Sequence, residues 1–191
     1  MARTRSNEVH QRMVQAALRL FAERGFESTS MDAIAREAGV AKPTLYNHWA
    51  DKEALMMEVM LYVNGVSDER REYDSGDVVE DLTWILTRRP PDAFEELRSR
   101  MMPGLVAYSA THPEFGAAWR HNIMEPARKA IANALKRGIE RGQLSSGLDI
   151  DVSICLLLGP MLYRHIFHGK AKIDIEELGR EAAEAFGRAF I

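Results

Sequence analysis

The sequence predicts an all-α protein with a small N-terminal head and a larger helical body, about nine helices in all. Three observations carry this. Apolar residues recur at spacings of three and four along most of the chain, with no strand-like alternation in the body. The stretch from Thr29 to Leu55 reads as two short helices joined by a tight turn at Gly39. The run from Asp151 to Phe167 is apolar nearly all round through Tyr163, the pattern of a helix covered on every side.

Bulk properties narrow the function classes. The chain has 191 residues, 46% of them apolar, enough for a sizeable core. A net charge of −3 does not advertise a nucleic-acid binder, but the charge is unevenly spread. Residues 1–52 carry 8 Lys or Arg against 6 Asp or Glu, and residues 53–191 carry 17 against 22. A slightly basic head on an acidic body fits nucleic-acid contact confined to the head. The single cysteine, Cys155, rules out an internal disulfide framework. The N-terminus lacks the apolar stretch of a signal peptide, and no run reaches the roughly 18 apolar residues of a membrane span. A cytoplasmic protein with no membrane association is expected.

In the head, Met1–Ser6 is short and basic through Arg3 and Arg5, and reads either as an arm for a minor groove or as a solvated tail. Helix 1 is expected from about Ser6, with Val9, Met13, Ala16, Ala17, Leu20 and Phe21 as its buried stripe. Gly25 ends it, and Phe26 folds back as the hydrophobic contact of such a cap. Thr29 or Ser30 caps the second helix, whose Met31, Ile34, Ala35 and Ala38 share one face. Gly39 sits where the chain must bend into a left-handed conformation. Pro43 suits the first turn of a third helix, because its missing N–H would find no partner there anyway. Leu45 and Trp49 lie four apart and pack inward. Lys42, Thr44, Tyr46, Asn47 and His48 are left on the other face, which is compact and rich in hydrogen-bonding groups. A helix-turn-helix lays such a face in the DNA major groove.

The run IAREAGVAKPTLYNHWADKEAL, residues 34–55, resembles the DNA-binding signature of the TetR family of bacterial transcriptional regulators. The likeness covers the Ala-Gly-Val turn, the Pro-Thr-Leu-Tyr opening of the third helix and the Asp-Lys-Glu-Ala-Leu start of the fourth. It implies that Lys42, Pro43, Thr44, Tyr46, Asn47, His48 and Lys52 meet DNA. Their chemistry divides the labour. The hydroxyls of Thr44 and Tyr46 suit phosphate oxygens. His48 suits a phosphate as well. Lys52 reads as a mobile cation for the backbone. Asn47 can read a base edge, most naturally adenine. Lys42 reaches a guanine or a phosphate, and Pro43 offers only apolar contact. Asp32 departs from the cationic residue that some relatives carry early in helix 2, and is expected to stabilise that helix's N-terminus or to complete a box with Thr29.

The body follows from about Asp51, so the expected division is residues 1–50 for DNA binding and 51–191 for effector binding and dimerisation. Asp51 caps helix 4, which runs through Leu55, Val59 and Tyr62 toward Gly65. Residues 65–76 read as a charged loop. Asp77 and Glu80 form a capping box for helix 5, which Pro90 and Pro91 stop. Phe94, Leu97, Met101, Leu105 and Tyr108 mark helix 6, with Pro103 inside it. Thr111-His112-Pro113 is a break, and helix 7 runs from about Glu114 to Gly142 with Pro126 kinking or splitting it. The last two helices are the apolar run ending at Phe167 and one from about Ile175, with Leu178, Ala182, Ala185, Phe186, Ala189 and Phe190 on a stripe. Two such helices from each of two chains would make a four-helix homodimer interface, and LLLGPMLYRHIFHGK resembles the dimer-forming C-terminal region of one TetR subgroup.

Family bodies enclose a small effector, and the resemblance implies one here. Trp84, Met101, Met102, Tyr108, Trp119, Met124, Tyr163 and Phe167 are the candidate lining, with aromatic rings and adaptable Met suited to a hydrophobic ligand. The expected function is a homodimeric repressor on a pseudo-palindromic double-stranded operator, released by that effector. The alternative is a DNA-binding dimer without effector, whose body docks another protein. Catalysis is not expected, since no nucleophile elbow, phosphate loop or paired-carboxylate motif stands out, and no cofactor is implied. Cys155, His165 and His168 share helical spacing, but Cys155 and His165 are about 15 Å apart along a straight helix. They make no metal site within one chain.

Overall fold

The computed structural model describes residues 2–64, 73–88, 94–167 and 174–191, with side chains from Asn7 onward except those of His165 and Ile175. These residues form α1 (Ala2–Arg24), α2 (Met31–Glu37), α3 (Lys42–Tyr46), α4 (Lys52–Val63), α5 (Val78–Thr87), α6 (Glu95–Thr111), α7 (Pro113–Trp119), α8 (Glu125–Glu140), α9 (Ile150–Phe167) and α10 (Ile175–Phe190). No strand occurs among the described residues. The loop expected over 65–72, the stop at Pro90 and Pro91, and His168 lie outside the described residues, as do the side chains of Arg3 and Arg5.

One boundary departs from expectation and one follows it. The N-terminal arm is helical, since α1 begins at Ala2. The helix expected from Glu114 is divided into α7, a π-helical turn (Arg120–Met124) and α8. Pro126 is the cause: it cannot donate to the preceding turn, and it sits in the first turn of α8, where that donor would be unpaired.

Two compact units emerge from packing, residues 1–66 with 90–119, and residues 67–89 with 120–191. Packing thus groups α4, α6 and α7 with the head helices, whereas the division at residue 50 is one of expected roles. In the first unit the expected stripe of α1 is buried from Met13 to Phe21, as are Met31, Ile34 and Ala35 of α2 and Leu45 of α3. Met56, Val59, Met60 and Val63 of α4 are also buried, as are Met101 and Leu105 of α6 and Phe115 and Trp119 of α7.

In the second unit, Val78, Leu82 and Leu86 of α5 pack with Ile131, Ala134 and Leu135 of α8, Ile154 and Leu157 of α9, and Ala183 and Phe186 of α10. On α10, Ala183 and Phe186 face this core, while Ala185 and Ala189, expected at a dimer interface, are exposed. Asp77 caps α5 by accepting from the Val79 and Glu80 amides. Glu80 does not close the box; its carboxylate accepts from the Tyr73 hydroxyl at 2.8 Å. The buried Asp81 accepts from Ser75 N and Oγ and from Arg137 Nη2 at 3.0 Å, so its charge is paired where water cannot reach it. Arg141 grips Asp74 with both terminal nitrogens at 2.8 Å and pulls its pKa down to about 2.

α10 lies on α5 through Gly179. A Cβ there would stand 2.7 Å from the Leu86 carbonyl oxygen, inside any van der Waals separation. Helix propensity alone favours Gly→Ala by about 0.5–1 kcal/mol. Overpacking costs about 1–3 kcal/mol and wins at this site. Gly179→Ala should therefore lower stability in urea unfolding. Gly104→Ala in α6, where a Cβ meets nothing within 4 Å, should leave it unchanged or raise it.

Candidate nucleic-acid interface

The turn between α2 and α3 follows from local chemistry. Ser30, not Thr29, is the N-cap of α2, accepting from Ala33 N at 3.2 Å. Thr29 is buried, and its hydroxyl donates to the Leu20 and Gly25 carbonyls at the end of α1. Gly39 has φ of +66°, which glycine adopts without a Cβ clash, and Val40 N closes the turn on Ala35 O at 3.0 Å. α3 then starts with Lys42 and Pro43. Beyond Tyr46 the chain continues as a helical turn, with the Asn47, His48 and Trp49 amides donating to Pro43 O and Leu45 O.

Leu45 is fully buried and Trp49 nearly so, which anchors one side of this helix. Lys42, Pro43, Tyr46, Asn47 and His48 are exposed on the other, with Thr44 half-buried beside them. Six of the seven residues expected to meet DNA thus share one face. The Tyr46 ring is 42% exposed, with the Lys42 ammonium 5.7 Å from its centroid. Asp32 forms no box with Thr29. From the first turn of α2 its carboxylate takes the Lys42 ammonium at 2.8 and 3.1 Å, and this raises the Lys42 pKa. A phosphate must compete with Asp32 for that ammonium.

Lys52, the seventh residue, is placed differently, and its description as a mobile cation is corrected. Its Nζ donates to Phe26 O, Glu27 O and Thr29 O at 2.7, 3.2 and 2.9 Å and stands 4.4 Å from the Phe26 ring centroid. Three acceptors engage the three protons of the ammonium. Partial burial lowers its pKa, opposed by the charges of Glu27 and Glu53. Lys52 therefore ties the α1–α2 turn to the start of α4, whose N-cap Asp51 accepts from Ala54 N at 2.7 Å.

The next residue extends this tie. Glu53 accepts from the Tyr108 hydroxyl of α6 at 2.6 Å, and that bond pushes the Tyr108 pKa up to about 12. Tyr108 also meets Phe26 edge-on at 4.7 Å and stacks on His112. At the other end of α4, the buried Arg98 of α6 donates to Val63 O at 3.2 Å.

Sequence reasoning did not identify the neighbour of His48 on α1 or that neighbour's partner on α4. His10 of α1 lies with its Nδ1 3.3 Å from His48 Nδ1, and its Nε2 contacts Glu58 Oε1 of α4. Nothing in the spacing of residues 10, 48 and 58 pointed to this.

The eight candidate effector residues are distributed over both units. Met101 and Trp119 are buried in the first, with Met102 and Tyr108 half-buried. In the second, Trp84 stacks on Tyr73 at 4.8 Å under the Arg88 guanidinium, while Met124, Tyr163 and Phe167 are exposed. An open groove of about 410 Å³ in that unit is lined by Val79, Glu184, Gly187, Arg188 and Ile191, none of them among the eight.

Removing the Lys52 tie tests its role. Lys52→Met should lower the stability of the chain by about 1–3 kcal/mol, read by urea unfolding without DNA. An unchanged midpoint would return Lys52 to the surface role expected from sequence.

Comparison with known proteins agrees with this architecture. Residues 13–59 match the family described as bacterial regulatory proteins, tetR family, and residues 72–185 match the tetracyclin repressor-like C-terminal domain. The HTH-type transcriptional regulator YdeS of Bacillus subtilis, itself uncharacterised, is 30% identical over 174 residues, which span 87% of this chain and 83% of that protein. The HTH-type transcriptional regulator UidR of Escherichia coli is 26% identical, over 98% of this chain and 93% of its own. Among solved structures, the regulator FadR from Bacillus subtilis in complex with stearoyl-CoA has a TM-score of 0.73 at 19% identity, covering 93% of this chain and 97% of that one. A putative TetR-family regulator from Mesorhizobium loti has a TM-score of 0.63 at 24% identity, covering 97% and 98%. The chain belongs to the TetR family of bacterial transcriptional regulators.

Proposed function

We propose that this regulator represses transcription as a homodimer on a pseudo-palindromic operator and is released by a small hydrophobic effector. Residues 1–50 read the DNA, and residues 51–191 bind the effector and dimerise. The observation that carries the reading is the polar face of α3, offered to solvent while Leu45 and Trp49 anchor its back. Thr44 and Tyr46 hydroxyls and the His48 imidazole meet phosphates, and Asn47 reads a base edge. Lys42 meets DNA by exchanging Asp32 for a phosphate or guanine, and Pro43 offers apolar contact to a thymine methyl. Lys52 contributes by fixing where α4 begins beside the backbone.

Dimerisation through α9 and α10 is supported by apolar side chains left in water. Val152, Leu156, Tyr163 and Phe167 of α9 are more than half exposed, and Phe190 of α10 and Ile191 extend the apolar surface. Such an area on one helix calls for cover. Two heads are also needed, since one small module makes too few contacts for a specific site. The effector reading draws on FadR, a protein of the same fold whose structure is in complex with stearoyl-CoA, a molecule with a long acyl chain. The residues proposed to meet an effector are Met101, Met102, Tyr108 and Trp119 within the first unit, and Trp84, Met124, Tyr163 and Phe167 within the second.

Selection of bound duplexes from random DNA at fixed salt should return a two-fold symmetric site. Tyr46→Phe should then weaken binding to all sequences alike. Asn47→Ala should remove about 1–3 kcal/mol of discrimination at one base position per half-site. Recovery of no preferred duplex would overturn the reading. Leu156→Glu combined with Phe167→Glu should shift the chain from dimer to monomer in sedimentation; an unchanged dimer would place the interface elsewhere.

A further inference from the structure

The side chains around His48 form a connected set drawn from three elements of the first unit. His10 of α1 stands between His48 and Glu58 of α4. One ring nitrogen, Nε2, contacts Glu58 Oε1, and the other, Nδ1, lies 3.3 Å from His48 Nδ1. Trp49 Nε1 donates to the second Glu58 oxygen at 2.7 Å. The rings of His10, His48 and Trp49 lie 4.9 to 5.3 Å apart, which holds the two imidazoles in register.

Hydrogen-bond logic fixes the protons. A carboxylate only accepts, so His10 donates its Nε2–H to Glu58. A neutral His10 then carries a lone pair on Nδ1. His48 must supply the hydrogen between the two rings, from its own Nδ1. A neutral imidazole has one N–H, so the Nε2 of a neutral His48 is left as an acceptor. A phosphate oxygen is also an acceptor. His48 can donate to phosphate while the two rings stay bonded only if the pair gains one proton, either on His48 Nε2 or on His10 Nδ1 with His48 switching to its Nε2–H tautomer.

We propose that His10 is a positioning residue that couples DNA binding to uptake of one proton per head, by holding His48 in the tautomer that cannot donate to phosphate until the pair gains a proton. The inference rests on His48 meeting phosphate, as read above. The added charge is balanced by the phosphate outside and by Glu58 behind His10. A second proton, on His10, would place N–H against N–H and break the chain. Affinity therefore rises as falling pH supplies that one proton and declines once both rings are charged. Imidazole is the side chain that changes charge between about pH 5 and 8.

Other charges around the pair have partners of their own or lie beside it in sequence. From α1 these are Glu8 and Arg12, the charged residues flanking His10. From the segment after α3, Asp51 caps α4 and Lys52 is held on three carbonyls. From α4, Glu53 is taken by Tyr108. Among the described residues, Glu58 is the carboxylate in hydrogen-bond contact with either imidazole.

Two measurements test this. Long-range proton–nitrogen correlation spectra of the free chain at about pH 8 should show His10 protonated on Nε2 and His48 on Nδ1. His48 protonated on Nε2 would overturn the inference without any binding experiment. Second, the duplex recovered by selection is titrated between about pH 5.5 and 8.5. The parent chain should lose up to about tenfold in affinity per protomer per pH unit on the alkaline side. His10→Phe keeps a ring against Trp49 but frees His48 to donate from neutral Nε2, so it should flatten that slope and bind at least as tightly as the parent at the alkaline end. Glu58→Gln keeps an acceptor for Trp49 but removes the balancing charge, and should move the profile to lower pH. Equal slopes in the parent and His10→Phe overturn the inference and leave DNA binding standing. Failure of the parent to bind any duplex at any pH, with the tautomers as stated, removes the DNA reading, and the inference falls with it.

Discussion

Four residues at one junction, Phe26, Lys52, Glu53 and Tyr108, hold the first compact unit in its arrangement. Lys52 brings the carbonyls of the α1–α2 turn to the first turn of α4. Phe26, from the same turn, lies under the Lys52 ammonium and against the Tyr108 ring. Tyr108 closes the circuit by donating to Glu53. Each link is a charged or aromatic contact between residues far apart in sequence, so it exists only when the helices are packed. The carbonyls after α1 would otherwise need water or other donors, because a turn between helices leaves several unpaired. α4 is thereby gripped by α6 at both ends, through Tyr108 at its start and Arg98 at its finish. A displacement of α6 along its axis would be felt at the first turn of α4, next to the segment that carries Asn47 and His48.

The electrostatics of the DNA-facing side are more guarded than the sequence suggests. The head carries only a small excess of basic residues. Of the cations expected to meet DNA, Lys42 is paired with Asp32 and Lys52 is spent on backbone oxygens. On the proposed reading, long-range attraction to a duplex would therefore be modest, and close-range hydrogen bonding from Thr44, Tyr46, Asn47 and His48 would carry a larger share. A regulator built this way gains little from non-specific capture and depends on fit.

Local signals made the elements legible. The Gly39 turn, the Asp51 and Asp77 caps, the Gly25 stop and the break at Pro126 were all visible, because each is set by residues within a turn or two of one another. The inward residues of α1, α2 and α3 were legible for the same reason. What periodicity could not supply were pairings such as Asp32 with Lys42, Lys52 with residues 26 to 29, and His10 with His48 and Glu58. Those depend on where one helix crosses another, and an exposed charge or imidazole leaves no periodic trace of its partner. Periodicity also leaves two apolar faces of α10 unresolved. Ala182, Ala183 and Ala185 are equally small and apolar, and Phe186 sits inward in either phase, so spacing alone cannot separate the buried Ala183 from the exposed Ala185.

The contact at Gly179 has a mechanical side. With a hydrogen where other residues carry a carbon, the backbone of α10 rests directly on the last turn of α5, and Gly187, about two turns further along, does the same against Val79. Two such notches on one rod act as a key in a lock. Sliding by a single residue would push Leu178 or Arg180 into the space that a hydrogen now fills. Any rearrangement of this unit must carry α5 and α10 together as one rigid pair, which confines bending to other joints.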